Sequence, residues 1–456
     1  MPSVTSAPKL PGYQGLQWIE ATLPDHTSLW LEQQPFGWVI NDSVDQSLID
    51  QLKALSHQDK WQWPDHLILF MSDLHADVDA FSASLVASGL FRREGPAPEQ
   101  ISVIENAPAF EIIIGGDCLD KGPANLPLLK LIRWLYDQNI LVTLLSGNHD
   151  LRLQLAINTL DTPECSLNGH FLIRLGSKVM PLCVELLKEY PLSIDEMAKL
   201  PNEATCKQNL LPSEAWYQEF EQRAKSHLTD AQIATEIRRL CARKQRFFRA
   251  AEQANLSMQQ IYAALLRWRQ LFMQSDGDFH WFIAQQQLLC RRGSFVFLHA
   301  GCDDLIAERL ALEGEERLNQ EYSQARQGDA FHLYFSALGN MLRTKYRSQD
   351  PQLSTKSRAA LDKAGIHALV HGHRNLHHGQ RITLRAKTLH FECDSTLNQT
   401  TRKEEGLVGK GAAVTLFYPD GWVIGISSDY PNAKCFCPSQ LNLIADQLQL
   451  TPPIPT

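Results

Sequence analysis

Leu67-Ile68-Leu69-Phe70-Met71 is an unbroken apolar run, and it empties directly into Ser72-Asp73-Leu74-His75. A run without alternation is what a strand buried on both faces looks like. The pattern recurs along the chain. Phe110–Ile114 leads into Gly115-Gly116-Asp117, with Asp120 and Lys121 close behind. Residues 140–145 lead into Ser146-Gly147-Asn148-His149-Asp150, Phe295–Leu298 into His299-Ala300-Gly301, and residues 368–370 into His371-Gly372-His373. Helix-length segments at 77–90 and 125–138 separate the first three runs. Strand, helix, strand, helix predicts a layered α/β core.

Five polar clusters thus follow five apolar runs. Strand ends open onto one edge of a sheet, where open α/β folds place ligands. In Asp-x-His an extended segment puts both side chains on one face, because strands repeat every two residues. Asp73 and His75 can therefore reach one ion together. Carboxylate oxygen with imidazole nitrogen suits divalent first-row metals. Each cluster alone reads as well as a turn or an exposed loop. Five of them in this order, each at a predicted strand end, point to one site.

The order D-x-H, G-D-x-x-D, G-N-H-D, H-A-G, G-H resembles the calcineurin-like metallophosphoesterase superfamily. Within it, the chain is most similar to the phosphoprotein phosphatases and the bacterial diadenosine-tetraphosphate hydrolases. The likeness covers about 67–150 and 291–428. It implies an α/β fold, a sandwich of two β-sheets flanked by helices. It implies that Asp73 and His75 hold a first metal, that Asp117 bridges, and that Asn148, His299 and His373 hold a second. His149 is then the general acid, oriented by Asp150 or Asp120. Alignment on Gly-His makes His373 the ligand and leaves His371 behind it or in the core. Lys121 stands where phosphoprotein phosphatases have Arg. Lys is a point charge and Arg a bidentate fork, so phosphate binding is expected to be shared with Arg152, Arg374 or the Arg343/Lys345/Arg347 cluster. Two divalent ions are implied, and mixed oxygen and nitrogen ligands allow Mn, Fe, Zn, Ni or Co.

The expected activity is metal-dependent hydrolysis of phosphoesters by a dinuclear centre, with metal-bound hydroxide as nucleophile. The substrate is expected to be a phosphorylated molecule, cleaved as by a phosphomonoesterase of the protein-phosphatase type. The alternatives are hydrolysis of a diadenosine polyphosphate or other nucleotide, a nuclease, or an inactive metal-binding scaffold. Every matched position is occupied, which opposes the scaffold.

Composition bounds the rest. The chain has 456 residues, 44% hydrophobic and 21% charged, which excludes a disordered protein. Lys and Arg number 43 against 51 Asp and Glu, a net charge of −8 that opposes a nucleic-acid-coating role. No stretch approaches 18 apolar residues, and the start lacks a signal pattern. Ten scattered cysteines, with Cys118, Cys183, Cys241, Cys290 and Cys393 expected as buried thiols, fit a soluble cytoplasmic protein. The expected division is an N-terminal extension at 1–66, a core at 67–150 plus 291–428, a helical insert at 151–290 and a partly ordered tail at 429–456. Within the insert, helices are expected at 183–190, 213–227, 229–254, 257–274 and 278–290. The third carries Arg238, Arg239, Arg243, Lys244, Arg246 and Arg249, read either as a solvated face or as a lid that supplies positive charge.

Overall fold

How the apolar runs pair decides the architecture. In the computed structural model, which describes residues 9–33, 35–161 and 167–450, Leu67–Met71 lies between two strands. Phe110–Ile114 runs parallel to it and Ala413–Phe417 antiparallel. Leu141–Leu144 extends the parallel side, and Val423–Ser427, Asn432–Phe436 and His26–Leu29 extend the other, giving a seven-stranded sheet. A second, six-stranded sheet runs in the order Trp38–Ile40, Arg381–Arg385, Thr388–Glu392, Ala368–His371, Phe295–Leu298, Leu289–Arg292.

The two sheets face each other. Along Leu67–Met71, Ile68 and Phe70 join the core between the sheets, whereas Leu67, Leu69 and Met71 join the core under the helices. Both faces are therefore buried, which is why the run shows no alternation. Between the sheets, Phe70 meets Phe297 at 5.6 Å and Phe295 meets Phe417 at 5.1 Å. Truncating any of these rings to Ala would cost about 3–5 kcal/mol. The fold is the expected two-sheet sandwich flanked by helices.

The sheets also take strands from segments read as an extension and a tail. His26–Leu29 pairs in parallel with residues 432–435, and Trp38–Ile40 pairs with residues 382–384. The helix Gln440–Leu450 packs on Gln46–Leu55. His26–Leu29 is His-Thr-Ser-Leu, with no apolar run to announce it, and Trp-Val-Ile at 38–40 is too short to show a period. Pro452, Pro453 and Pro455 lie outside the described residues. Among the cysteines expected as buried, Cys241 is exposed on the outer side of its helix. Residues 381–392, which alternate as one continuous strand with one exposed face would, are instead the hairpin Arg381–Arg385 and Thr388–Glu392. Its turn residues Ala386 and Lys387 take φ of 49° and 58°, a left-handed pair usually built from Asn and Gly. The Asp42 carboxylate steadies it by accepting both their amides, at 2.7 and 2.8 Å.

Residues 151–290 are mostly helical. Met180–Glu189, Glu214–Ala224, Asp230–Gln253 and Met258–Met273 form close to the expected spans. Thr229 and Ser257 start the two longest with capping boxes, to Gln232 and Gln260. The last expected helix is shorter, His280–Ala284, and Leu289–Arg292 is instead an edge strand. Trp216 stacks on Phe220 at 4.9 Å and Trp268 on Phe272 at 4.6 Å, so these aromatics are core. Among the described residues, no helix is long and apolar enough to cross a membrane.

Candidate metal centre

Five strand ends deliver the polar clusters to one place. Three are the parallel strands of the larger sheet, and two are the parallel neighbours Phe295–Leu298 and Ala368–His371 of the smaller one. Beyond each strand the chain turns sharply. Asp73, His75, Asp117, Asp120, Lys121 and His373 all take positive φ, between 44° and 68°. Such conformations cost non-glycine residues about 1–3 kcal/mol each and cluster at functional sites. Gly147 and Gly372 allow the close approach. A Cβ on Gly147 would strike the Asp117 carboxylate, and one on Gly372 would strike Ser72 and Asp73.

Asp117 is central. Its Oδ1 lies 3.5 Å from His299 Nε2 and accepts the His149 amide at 2.7 Å. Its Oδ2 lies 3.7 Å from His75 Nε2 and 3.9 Å from His149 Nε2. Two donor groups share it: Asp73, Asp117, His299 and His373, and separately His75, Asp117 and His149, each with ligand atoms within 4.8 Å of one another. The pairing expected from the resemblance joined Asp73 to His75. Here Asp73 stands with the His299/His373 group, its Oδ1 3.9 Å from His75 Nε2.

Neighbouring groups fix which atoms remain available. His299 Nδ1 meets the Gly115 carbonyl at 2.8 Å, which holds a proton there and frees Nε2. His373 Nε2 lies 3.3 Å from the Arg343 carbonyl, which frees Nδ1. Asp73 Oδ2 accepts from Ser72 Oγ and the His373 amide, leaving Oδ1. Asn148 Oδ1 lies 3.3 Å from His299 Nε2 and faces His373 Nδ1 as well. Turned over, the amide could donate to both rings. As placed, lone pairs of an amide, two imidazoles and a carboxylate converge with no proton donor among them. That donor set fits a divalent first-row cation. His371 is not part of it. It is buried, with Nε2 3.2 Å from His390 Nδ1.

His149 opens the helix Asn148–Asn158. Its Nδ1 sits 2.6 and 2.8 Å from the two oxygens of Asp120. Burial pushes the Asp120 carboxyl up to about 7, and burial together with Arg152 and Lys178 holds His149 well below the usual imidazole range. Both partners are driven toward neutrality, so one proton is held between them. Asp150, the other candidate for this task, does not touch the ring. Its oxygens accept the amides of Cys118, Leu119 and Gly147, pinning the Asp117 loop to the start of the helix.

Lys121 donates to His75 Nε2 at 2.6 Å, and Arg152 is held by Nε on the Asn148 carbonyl at 2.8 Å. Both stand at the centre. Arg374 does not. It is clamped to the buried Glu392, stacks over Tyr346 at 4.9 Å and reaches the Ala300 carbonyl at 3.3 Å. The sequence reading missed Lys178. It sits in the short turn Gly176–Val179, its carbonyl accepts the Lys121 amide at 3.2 Å, and burial and Lys121 push its ammonium down to about 8. No strand end or motif marks it. Asp394 makes a turn with the Thr396 amide, yet it is also buried, and its other oxygen has no partner among the described residues. Burial and Asp73 raise its carboxyl well above the usual range.

A sandwich whose strand ends gather carboxylates, imidazoles and an amide around a shared aspartate suits metal-dependent hydrolysis of phosphoesters. Residues 66–225 match the family model described as calcineurin-like phosphoesterase. A search of the curated proteins gives no match. Among solved structures, the chain is similar to a cold-active protein-tyrosine phosphatase of the psychrophile Shewanella sp. (11% identity, TM-score 0.41, covering 83% of this chain and 84% of that one). It is also similar to a protein serine/threonine phosphatase from Saccharomyces cerevisiae (10% identity, TM-score 0.32, covering 82% of each chain).

Proposed function

We propose that the protein is a phosphomonoesterase that works with two divalent ions. The observation that carries this reading is the position of Asp117. One of its oxygens faces His299 and the other faces His75, with His149 held by Asp120 alongside. Asp73, Asn148, His299 and His373 would hold one ion with Asp117, and His75 with Asp117 the other. The ions, when bound, supply Lewis-acid polarisation of the phosphoryl group and an acidified water.

The remaining work falls to side chains. Lys121, Arg152 and Lys178 surround the phosphoryl position with positive charge. His149 gives the leaving oxygen its Nε2 proton, while Asp120 shares its own proton with Nδ1 and fixes the ring. Ser72 and the His373 amide hold Asp73 in place, and Asp150 holds the Asp117 loop.

The test is an activity screen on metal-supplemented protein. It compares an aryl phosphate, a phosphoserine peptide, a phosphodiester and a diadenosine polyphosphate. Turnover of the two monoesters, abolished by chelation, is expected. Turnover of only the diester or the dinucleotide would replace this reading with a nuclease or nucleotide hydrolase.

A further inference from the structure

Beside Asn148 and His373 the centre opens into a cavity of about 780 Å³. A phosphoryl group would fill only a small part of it, and the volume lies in the range of pockets for small molecules. Arg152 lies at its base. The helix Asp230–Gln253 of the insert forms one wall with Arg238 and Arg239, and the loop after Ala337–Met341 supplies Arg343, Lys345 and Arg347. Three carboxylates also line it, and each is engaged. Glu236 pairs with Arg174 at 2.8 Å and Arg239 at 3.2 Å. Asp303 caps its own helix at the Ile306 amide, and Asp350 accepts the amides of Lys345 and Arg347.

Six cations therefore face three carboxylates in a concave space, within a protein whose net charge is −8. Such a field focuses anions into the cleft. Several cations are already committed. Arg239 serves Glu236, and Arg343 lies over the Tyr334 ring at 4.0 Å with Nε on the Gly339 carbonyl. Arg238, Lys345 and Arg347 form no salt bridge with any described residue, Arg238 on the helix and the other two on the loop. The other basic residues of the same helix are not part of this. Arg243 donates to the Arg174 carbonyl, Lys244 pairs with Glu214, and Arg246 bonds the Ala242 carbonyl on the exposed side. The helix thus sends two of its cations to the cavity and keeps the others for structure or solvent.

We infer that this cavity is a second anion subsite, and that the substrate is a small phosphomonoester whose leaving group carries another anionic group, a phosphate or a carboxylate. The inference rests on the phosphomonoesterase reading. The scissile phosphoryl group lies at the metal centre, and the second anion is held by Arg238, Lys345 and Arg347. These contacts lie away from the reacting atoms and bind ground state and transition state alike, so the subsite is expected to act mainly through KM.

The experiment uses the full chain with added Mn²⁺. It compares propyl phosphate, 1,3-propanediol bisphosphate and 4-(phosphonooxy)butanoate, which share an alkyl leaving group and differ in the second anion. The kcat/KM of at least one doubly anionic substrate is expected to exceed that of propyl phosphate about tenfold, which is the effect of one hydrogen bond to a charged group. Which of the two is preferred tells phosphate from carboxylate. In the double variant Arg238→Ala, Arg347→Ala the advantage is expected to fall below about twofold while turnover of propyl phosphate persists. The variant Arg246→Ala, on the same helix but outside the cavity, is expected to keep the advantage. Hydrolysis of all three substrates at equal kcat/KM would overturn the subsite and leave the phosphomonoesterase reading standing. Equal losses on all three in the double variant would also overturn it. No turnover of any of the three would remove both.

Discussion

Asp120 holds His149 by Nδ1, with both carboxylate oxygens within 2.8 Å of it, while Asp150, next to His149 in the chain, holds only backbone amides. Chain proximity and mechanical coupling therefore part company here. The residue 29 positions away orients the ring, and the neighbour builds the loop.

Proton delivery should reveal this division. A general acid contributes about 10²–10⁴-fold and matters most for poor leaving groups. His149→Asn should slow alkyl phosphates by about that factor and aryl phosphates much less. Asp120→Asn should follow the same pattern more weakly. Asp150→Asn should slow all leaving groups alike and lower the melting temperature, because three buried amides lose a charged acceptor. His149 also lies within ligand distance of His75 and Asp117, so metal content of His149→Asn decides its role. Retention of two ions supports the acid, and loss of one makes it a ligand.

Metal occupancy should depend unequally on the donors. Asp117→Asn should weaken both ions, because its oxygens face both donor groups. His299→Ala should deplete chiefly one of them. The check is metal analysis of purified variants beside circular dichroism. Equal stoichiometry in Asp117→Asn and wild type would remove the shared-aspartate reading.

Arg374 should prove a stability residue. Glu392 is buried between it and Arg381, and Arg374 leads the attractions that hold its carboxyl down to about 2 against its burial. Removing one member of a buried pair costs about 3–5 kcal/mol. Arg374→Ala should lower the melting temperature markedly and leave the KM for an aryl phosphate near wild type. The folded carboxyl titrates below the unfolded one. Its contribution is therefore fully present above about pH 4.5 and is lost as pH falls toward about 2. Glu392→Gln should flatten the acid limb of the stability curve.

Lys434 predicts a slope of the opposite origin. It is buried in the strand next to the sheet edge, where Nζ donates to the carbonyls of His378 and Gln380 at 2.7 Å and of Phe36 at 3.1 Å. Burial, helped by Arg381, pushes its ammonium down to about 7. Between about pH 7 and 10 the unfolded chain keeps a proton there that the folded chain has released, so stability rises with pH. Lys434→Met lacks this term. The melting-temperature advantage of wild type over the variant should therefore grow from pH 6 to pH 9. A constant difference would mean that the three carbonyls keep Lys434 charged throughout.

The site was more legible than the scaffold around it. Asp73, Asp117, Asn148, His299 and His373 each follow a strand that is buried on both faces, and such strands announce themselves by unbroken apolarity. His26–Leu29 and Trp38–Ile40 are sheet edges only three or four residues long, so no periodicity could mark them. The hairpin break at Ala386 and Lys387 was hidden because its usual residues are replaced by support from Asp42, which is 344 positions away from Ala386. Lys178 and the cavity wall of Arg238 and Arg239 were hidden for a related reason. A helix sequence records which side is apolar, but not which of its cations faces a cleft formed by another part of the chain.

The pairing of His26 with Asn432 has a consequence for biosynthesis. At about 5–20 residues per second of translation, roughly twenty to eighty seconds separate the two partners as they leave the ribosome. Through that interval the growing chain can form its local helices, but it cannot close the edge of the larger sheet. His373 arrives late as well, 300 positions after Asp73. The nascent protein therefore spends most of its synthesis with an open sheet edge and with the candidate site incomplete.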